Sequence, residues 1–204
     1  MTEAGEILRD TLPRLFLQGL DELQSRTDAE QRLRTEEALA AEGISAVRVE
    51  GTGEEFWFQV RGGQLMVLDT KPEGPLRLAA VIPEDAWSSG LSAFRAGADR
   101  AAGSVAQALV ALTSARLSEA LAGQSLSCAL TIHGAPDFGA RPFLLGLQTD
   151  GFPAAGDFSV DVDFHDVERL LQGEVTPAEL FMGGSLRLGG DYAPALNLAM
   201  GLLD

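Results

Sequence analysis

One cysteine, one lysine and two histidines are all that this 204-residue sequence supplies of the side chains that most often carry covalent, phosphate or metal chemistry. The lone cysteine, Cys128, excludes an internal disulfide and any multi-cysteine metal site. It lies in the alternating stretch SLSCALTIH, where it reads as a small buried hydrophobe rather than a reactive thiol. Lys71 is the only lysine, and 30 acids outweigh 15 bases to give a net charge of −15. Binding to nucleic acid rests on clustered Lys and Arg against phosphates, so this balance excludes nucleic acid as a partner, and an anionic membrane surface recognised by charge alone. No apolar run approaches the roughly 18 residues of a transmembrane helix. The opening MTEAGEILRD is acidic and lacks the apolar core of a secretory signal, so a cytoplasmic location is expected. There is no G-x-S-x-G elbow, no H-E-x-x-H, and no P-loop or dinucleotide glycine spacing. The expectation is a protein without catalytic residues, cofactor or metal.

What is present is apolar side chains, 46% of the chain, arranged with clear periods. Ile7, Leu8, Leu12, Leu15, Phe16, Leu20 and Leu23 recur at three- and four-residue spacing, one face of a helix. A charged stretch follows, with Gly43 as the expected helix stop. VRVE, FWFQV, QLMVLDT and LRLAAVI are then separated by GTG, RGG and KPEGP, which predicts an antiparallel meander, and PEDAWSSGLSAF predicts a short helix. The small, polar stretch Arg95 to Ser104 is the best boundary, dividing a region 1–100 from a region 101–204. After it the plan repeats: a helix face of Val105, Ala108, Leu109 and Leu112, then strands at LSCALTIH, RPFLLGLQT and DFSVDVDF, then the short helix DVERLLQG. Two readings of the repetition stand side by side, a diverged tandem of two like units and the ordinary helix, meander, helix plan of an α+β domain. Identities between the halves are few, which favours the second.

In FSVDVDF, Phe158, Val160, Val162 and Phe164 fall on one face and Ser159, Asp161 and Asp163 on the other. Alternating acids on the wet face of a half-covered sheet explain the aspartates better than a carboxylate pair, since neither His133 nor His165 has a cluster around it in sequence. TPAEL carries a capping box from Thr176 to Glu179 with Pro177 in the first turn. Gly183 and Gly184 end that helix, Leu186 and Leu188 share a strand face, and Asp191 is placed to cap a final helix. That final helix is apolar almost all round: Leu196, Ala199, Met200 and Leu203 make one face, and Ala195, Leu198 and Leu202 another. A second apolar face needs something to cover it: the N-terminal half, a second subunit or a hydrophobic ligand.

From about Gly103 onward the chain resembles the sterol carrier protein type 2 family. The resemblance is strongest over FSVDVDFHDVERLLQGEVTPAELFMGGSLRLGGDYAPALNLAMGLL: a V-D-V-x-F strand, a helix ending L-x-x-G, a second ending F-M, an alternating strand, G-D and an apolar helix. Two features depart from the family pattern: Ser185 and Arg187 stand where members commonly carry lysines, and GLLD is not a peroxisomal address. The resemblance implies an α+β fold, a curved, mostly antiparallel sheet covered by helices, with an apolar tunnel between sheet and C-terminal helix. By position it nominates Phe143, Leu145, Leu147, Phe181, Met182, Leu186, Leu188, Leu196, Met200 and Leu203 as tunnel or adjoining core. It implies non-catalytic carriage of a hydrophobic small molecule, sterol-like, fatty acyl or isoprenoid quinone, some bacterial relatives resembling accessory factors for quinone synthesis. The scarcity of bases after Gly151, Arg169 and Arg187 alone, argues against acyl-coenzyme A. A homodimer, or an enzyme of lipid metabolism, is the protein partner this reading allows. The alternative is an interaction module on the same fold whose extra apolar face is buried by protein.

Overall fold

The computed structural model describes residues 3–25, 35–36, 39–92, 115–121, 123–171 and 174–196. Helix α1 (Glu3–Gln24) is followed by β1 (Glu42–Glu50), β2 (Glu55–Arg61), β3 (Gln64–Leu68) and β4 (Leu76–Pro83). Residues 84–92 form α2. Then come α3 (Ala115–Leu121), β5 (Leu126–His133), β6 (Phe143–Thr149), β7 (Phe158–Asp163), α4 (Phe164–Leu171), α5 (Pro177–Met182) and β8 (Arg187–Gly190). Residues 193–196 are helical.

The eight strands among the described residues belong to one sheet, in the order β3-β2-β1-β4-β6-β5-β7-β8. The fold is α+β, and the sheet is mostly antiparallel. Two pairs are parallel, β1 with β4 and β5 with β7. The expected four-strand meander is thus corrected. β1, β2 and β3 do form one, but LRLAAVI leaves it and returns beside β1 on the side away from β2. A parallel neighbour cannot be reached by a tight turn, and the chain uses Asp69 to Pro75 to make the return. β5, β6 and β7 repeat the pairing of β1, β2 and β4: a hairpin, then a strand parallel to its first member and leading directly into a helix. Among the described residues, regions 1–100 and 101–204 supply four strands each, and β4 pairs with β6 where they meet.

Register assigns each strand residue to one of two sheet faces, because side chains alternate. Val47 lies level with Phe56 of β2 and Ala80 of β4, and Ala80 with Leu145 of β6. This is the helix-bearing face. Leu8, Phe16 and Leu20 of α1 pack there on Val49, Phe56, Phe58, Val60 and Leu65, with Trp87 and Leu91 of α2 beside them. Trp87 stacks on Phe56 at a ring separation of 5.3 Å. Pro13 inside α1 has no N–H for the Arg9 carbonyl, yet the helix runs on to Gln24 because its apolar stripe is held by this core.

The opposite face has a different logic. Ala46, Ala79 and Gly146 lie level across β1, β4 and β6, a row of small residues under the loop that follows β6. A Cβ on Gly146 would come within 2.9 Å of the Thr149 side chain and 3.4 Å of Pro153. Phe152 from that loop rests against Trp57 of β2, ring centroids 5.5 Å apart, with the Arg48 guanidinium 4.1 Å above its own ring.

Other sequence expectations shift slightly. Gly43, expected to stop a helix, is inside β1 opposite Val60. Phe164 opens α4 rather than extending β7. The capping box is formed, Thr176 Oγ1 accepting from the Glu179 N–H and the Glu179 carboxylate accepting from the Thr176 N–H. The last helix begins at 193, not after Asp191, the Tyr192 carbonyl accepting from the Leu196 N–H at 3.0 Å. With Asp191 as cap, Pro194 would occupy the third helical position, where it has no N–H to give. The boundary Arg95 to Ser104, the face of Val105 to Leu112, and Leu198 to Leu203 lie outside the described residues.

Candidate ligand-binding face

The helix-bearing face of β6, β5, β7 and β8 is built from three cross-strand rows. Phe143 lies level with Leu130, Leu130 with Val160, and Val160 with Leu188. Leu145, Cys128, Phe158 and Gly190 form the second row, and Leu147 with Leu126 the third. At about 4.8 Å between strands, a four-strand row spans about 14 Å. The chain makes these rows because LSCALTIH, FLLGLQT and FSVDVD each place apolar side chains at every second position, in phase once the strands are paired.

One end of this face is covered and the other is rimmed. Leu117 and Leu121 of α3, with Tyr192 and Ala195, pack on Leu126, Phe158, Cys128, Leu147 and Val160. At the opposite end Phe138 meets Phe143 edge-on at 5.8 Å and Phe164 at 6.4 Å, an aromatic border where the β5–β6 connection and α4 converge. Between them Leu130, Cys128, Phe143, Leu145, Leu147, Val160 and Leu188 remain half-buried. Burial pushes the Cys128 thiol pKa up, favouring the uncharged form among these apolar side chains.

Of the ten nominated residues, Phe143, Leu145, Leu147 and Leu188 come together on this face. Leu186 is half-buried just before β8, its N–H donating to the Leu180 carbonyl at 3.1 Å. Phe181 and Met182 of α5 are 42% and 87% exposed, and Leu196 is 37% exposed. Met200 and Leu203 lie outside the described residues. Cys128, Leu130 and Val160 belong to the same rows and were not nominated. Their alternation was visible in LSCALTIH and FSVDVD; what sequence could not supply was the strand order that makes β5 the middle strand between β6 and β7.

The polar side chains of the same strands go to the other face. Asp161 and Asp163 are there, as expected for the wet side of the sheet, and Asp161 lies opposite Arg187. His133, isolated in sequence, is paired in space, its Nε2 2.9 Å from Asp161 Oδ1. His165 is 81% exposed at the start of α4.

A different device joins the two halves. Asp85, in the first turn of α2, accepts from the Gly139 N–H at 3.0 Å and from Arg141 at 2.8 Å, fastening the β5–β6 connection to the end of β4. The Gly139 N–H, then Arg141, hold its carboxyl pKa down at about 2.

No helix among the described residues is long and apolar enough to cross a membrane. No protein-family model matches the chain. No curated protein matches it in sequence. Solved structures similar to it include a conserved hypothetical protein of Thermus thermophilus, a candidate sterol carrier protein, with 20% identity, a TM-score of 0.31, and coverage of 43% of this chain and 71% of that one. They also include the apo form of sterol carrier protein 2 from Yarrowia lipolytica, with 11% identity, a TM-score of 0.21, and coverage of 90% and 89%. At these TM-scores neither likeness bears on what the face binds. The chain is similar to sterol carrier protein-like structures, and what it can hold rests on its own rows of side chains.

Proposed function

We propose that this protein binds and carries a hydrophobic small molecule against the β5–β8 face, under the C-terminal segment, without catalysing a reaction on it. The observation that carries the reading is the row Phe143, Leu130, Val160 and Leu188, an apolar strip four strands wide left half-buried in a protein that seals the equivalent face elsewhere. Covering about 200 Å² of such surface is worth about 5 kcal/mol before the cost of ordering the ligand. The strip offers shape and area, and no charge. Arg169, one of two bases after Gly151, is already engaged by Asp166 at 2.9 Å. This favours a neutral lipid, sterol-like or isoprenoid quinone, or a fatty acyl chain, over acyl-coenzyme A. A non-catalytic role agrees with a cysteine held as thiol. The cytoplasm is the setting of this proposal, with a lipid-metabolising enzyme as the recipient of the ligand.

Native mass spectrometry of freshly purified protein, followed by organic extraction, tests the reading. A stoichiometric lipid adduct is expected, and Leu130→Trp, which fills the strip from its middle strand, is expected to abolish it. A clean protein mass, together with no saturable binding of cholesterol, oleate or ubiquinone, would overturn the carrier reading and leave the face to a homodimer or a protein partner.

A further inference from the structure

On the other side of the same strands is a cleft of about 400 Å³ lined by His133, Asp161, Val162, Asp163, Ser185 and Arg187. The alternation that turns Val160 and Leu188 toward the apolar face turns Asp161, Asp163 and Arg187 away from it. The charged side chains of the cleft therefore stand on the opposite side of the sheet from Val160 and Leu188. Its contents are divided by charge and by pairing. His133 and Asp161 satisfy one another at 2.9 Å. The Arg187 guanidinium and the Asp163 carboxylate have no hydrogen bond or ion pair with any of the described residues, and neither does the Ser185 hydroxyl. Arg187 lies directly opposite Asp161, and Asp163 is two residues further along β7. At about 3.4 Å per residue that puts the Asp163 carboxylate about 7 Å along the strand from the position the Arg187 guanidinium faces.

We infer that this cleft is a second ligand site, for a small zwitterion of the amino-acid class, its carboxylate on Arg187 and its ammonium on Asp163. A guanidinium presents paired N–H donors that match a carboxylate, and a lone carboxylate accepts from an ammonium. A simple anion would answer Arg187 and meet Asp161 and Asp163 as like charges. A simple cation would leave Arg187 unanswered. A molecule with both charges, spaced by a short chain, meets each of these solvated groups with its opposite charge. The volume suits it, being at the lower end for small-molecule pockets. Ser185, from the turn before β8, adds a neutral hydroxyl to the same wall.

The test uses the full chain and a series of ω-amino acids from glycine to 6-aminohexanoate, with acetate and methylammonium as single-charge probes. Binding is read from amide chemical shifts of Asp161, Asp163 and Arg187. At least one zwitterion is expected to saturate these shifts with an affinity at least tenfold above either single-charge probe. Arg187→Gln and Asp163→Asn, both at exposed positions, are each expected to lower that affinity at least tenfold while leaving the far-ultraviolet dichroism unchanged. No saturable shift with any member of the series, or acetate binding as tightly as the best of them, would overturn the assignment. Lipid content is a separate readout, so loss of one site leaves the other intact.

Discussion

The two ends of one sheet face solve the same problem to different degrees. Over β1, β2 and β3 the helix-bearing face is sealed: Val49, Val60, Phe58 and Leu65 are 0%, 1%, 5% and 4% exposed under α1. Over β5, β6 and β7 the same alternation of apolar residues leaves Phe143, Leu145, Leu147, Cys128, Leu130 and Val160 half-buried, while Leu126 and Phe158 are buried beneath α3 and residues 193–196. Hydrophobic patterning sets which face is apolar, and the length of helix laid on it sets how much water is removed. α1 lays 22 residues along the first end, while the described cover of the second is α3 and residues 193–196. The first end is a sealed core, and the second leaves the apolar area on which the proposed ligand reading rests.

The largest expected effect tests that contrast directly. Phe16 is fully buried between α1 and the first end of the sheet. Phe16→Ala is expected to cost about 3–5 kcal/mol, the range for a large core aromatic. Leu145→Ala, on the half-covered end, is expected to cost only about 1–2 kcal/mol, because much of its side chain already meets water in the free protein. Urea denaturation midpoints of the two variants measure the difference. Equal losses would mean that the second end is as well packed as the first, and would remove the main support for a ligand there.

Much of this contrast was legible in the sequence, and its limits are instructive. The three-and-four spacing from Leu8 to Leu20 and the alternation in FSVDVD are local properties, and both appear in the structure as read. The capping box at Thr176 was equally local. Strand order was not local. Nothing in LRLAAVI says that it pairs parallel to β1, and nothing in LSCALTIH says that Leu130 will stand between Phe143 and Val160. Pairing across 28 residues hid the His133–Asp161 contact for the same reason. The helix start at 193 departs from the sequence pattern because a cap residue carries little weight with a proline three positions on.

The capping box offers a smaller effect, confined to the second end. α5 has one buried residue, Leu180, and its first turn is held by Thr176 and Glu179. Thr176→Ala is expected to cost about 1 kcal/mol, the usual value of an N-cap. The loss should appear as faster amide exchange in α5 and its neighbour β8, with β1 to β3 unchanged. Exchange that rises equally in all strands would show that the ends unfold as a single unit.

Asp85 asks whether the two ends are joined by more than the β4–β6 pairing. Its contacts with Gly139 and Arg141 exist only in the folded protein, and they lower its pKa from 3.8 to about 2. A carboxylate with a depressed folded pKa contributes stability that is fully present above its unfolded pKa and is lost as the pH falls through its folded one. For Asp85 that window runs from about 4 down to about 2. The group is solvent-accessible, so screening keeps the contribution small. Asp85→Asn keeps the side-chain carbonyl as an acceptor and removes the charge. Its Tm is expected to fall slightly below that of the natural protein at neutral pH, and the gap to close as the pH is lowered through that window. A gap that persists unchanged below about pH 2 would place the effect in the amide's geometry and not in the charge. It would leave the shared β4–β6 ladder as the stronger bond between the sealed end of the sheet and the open one.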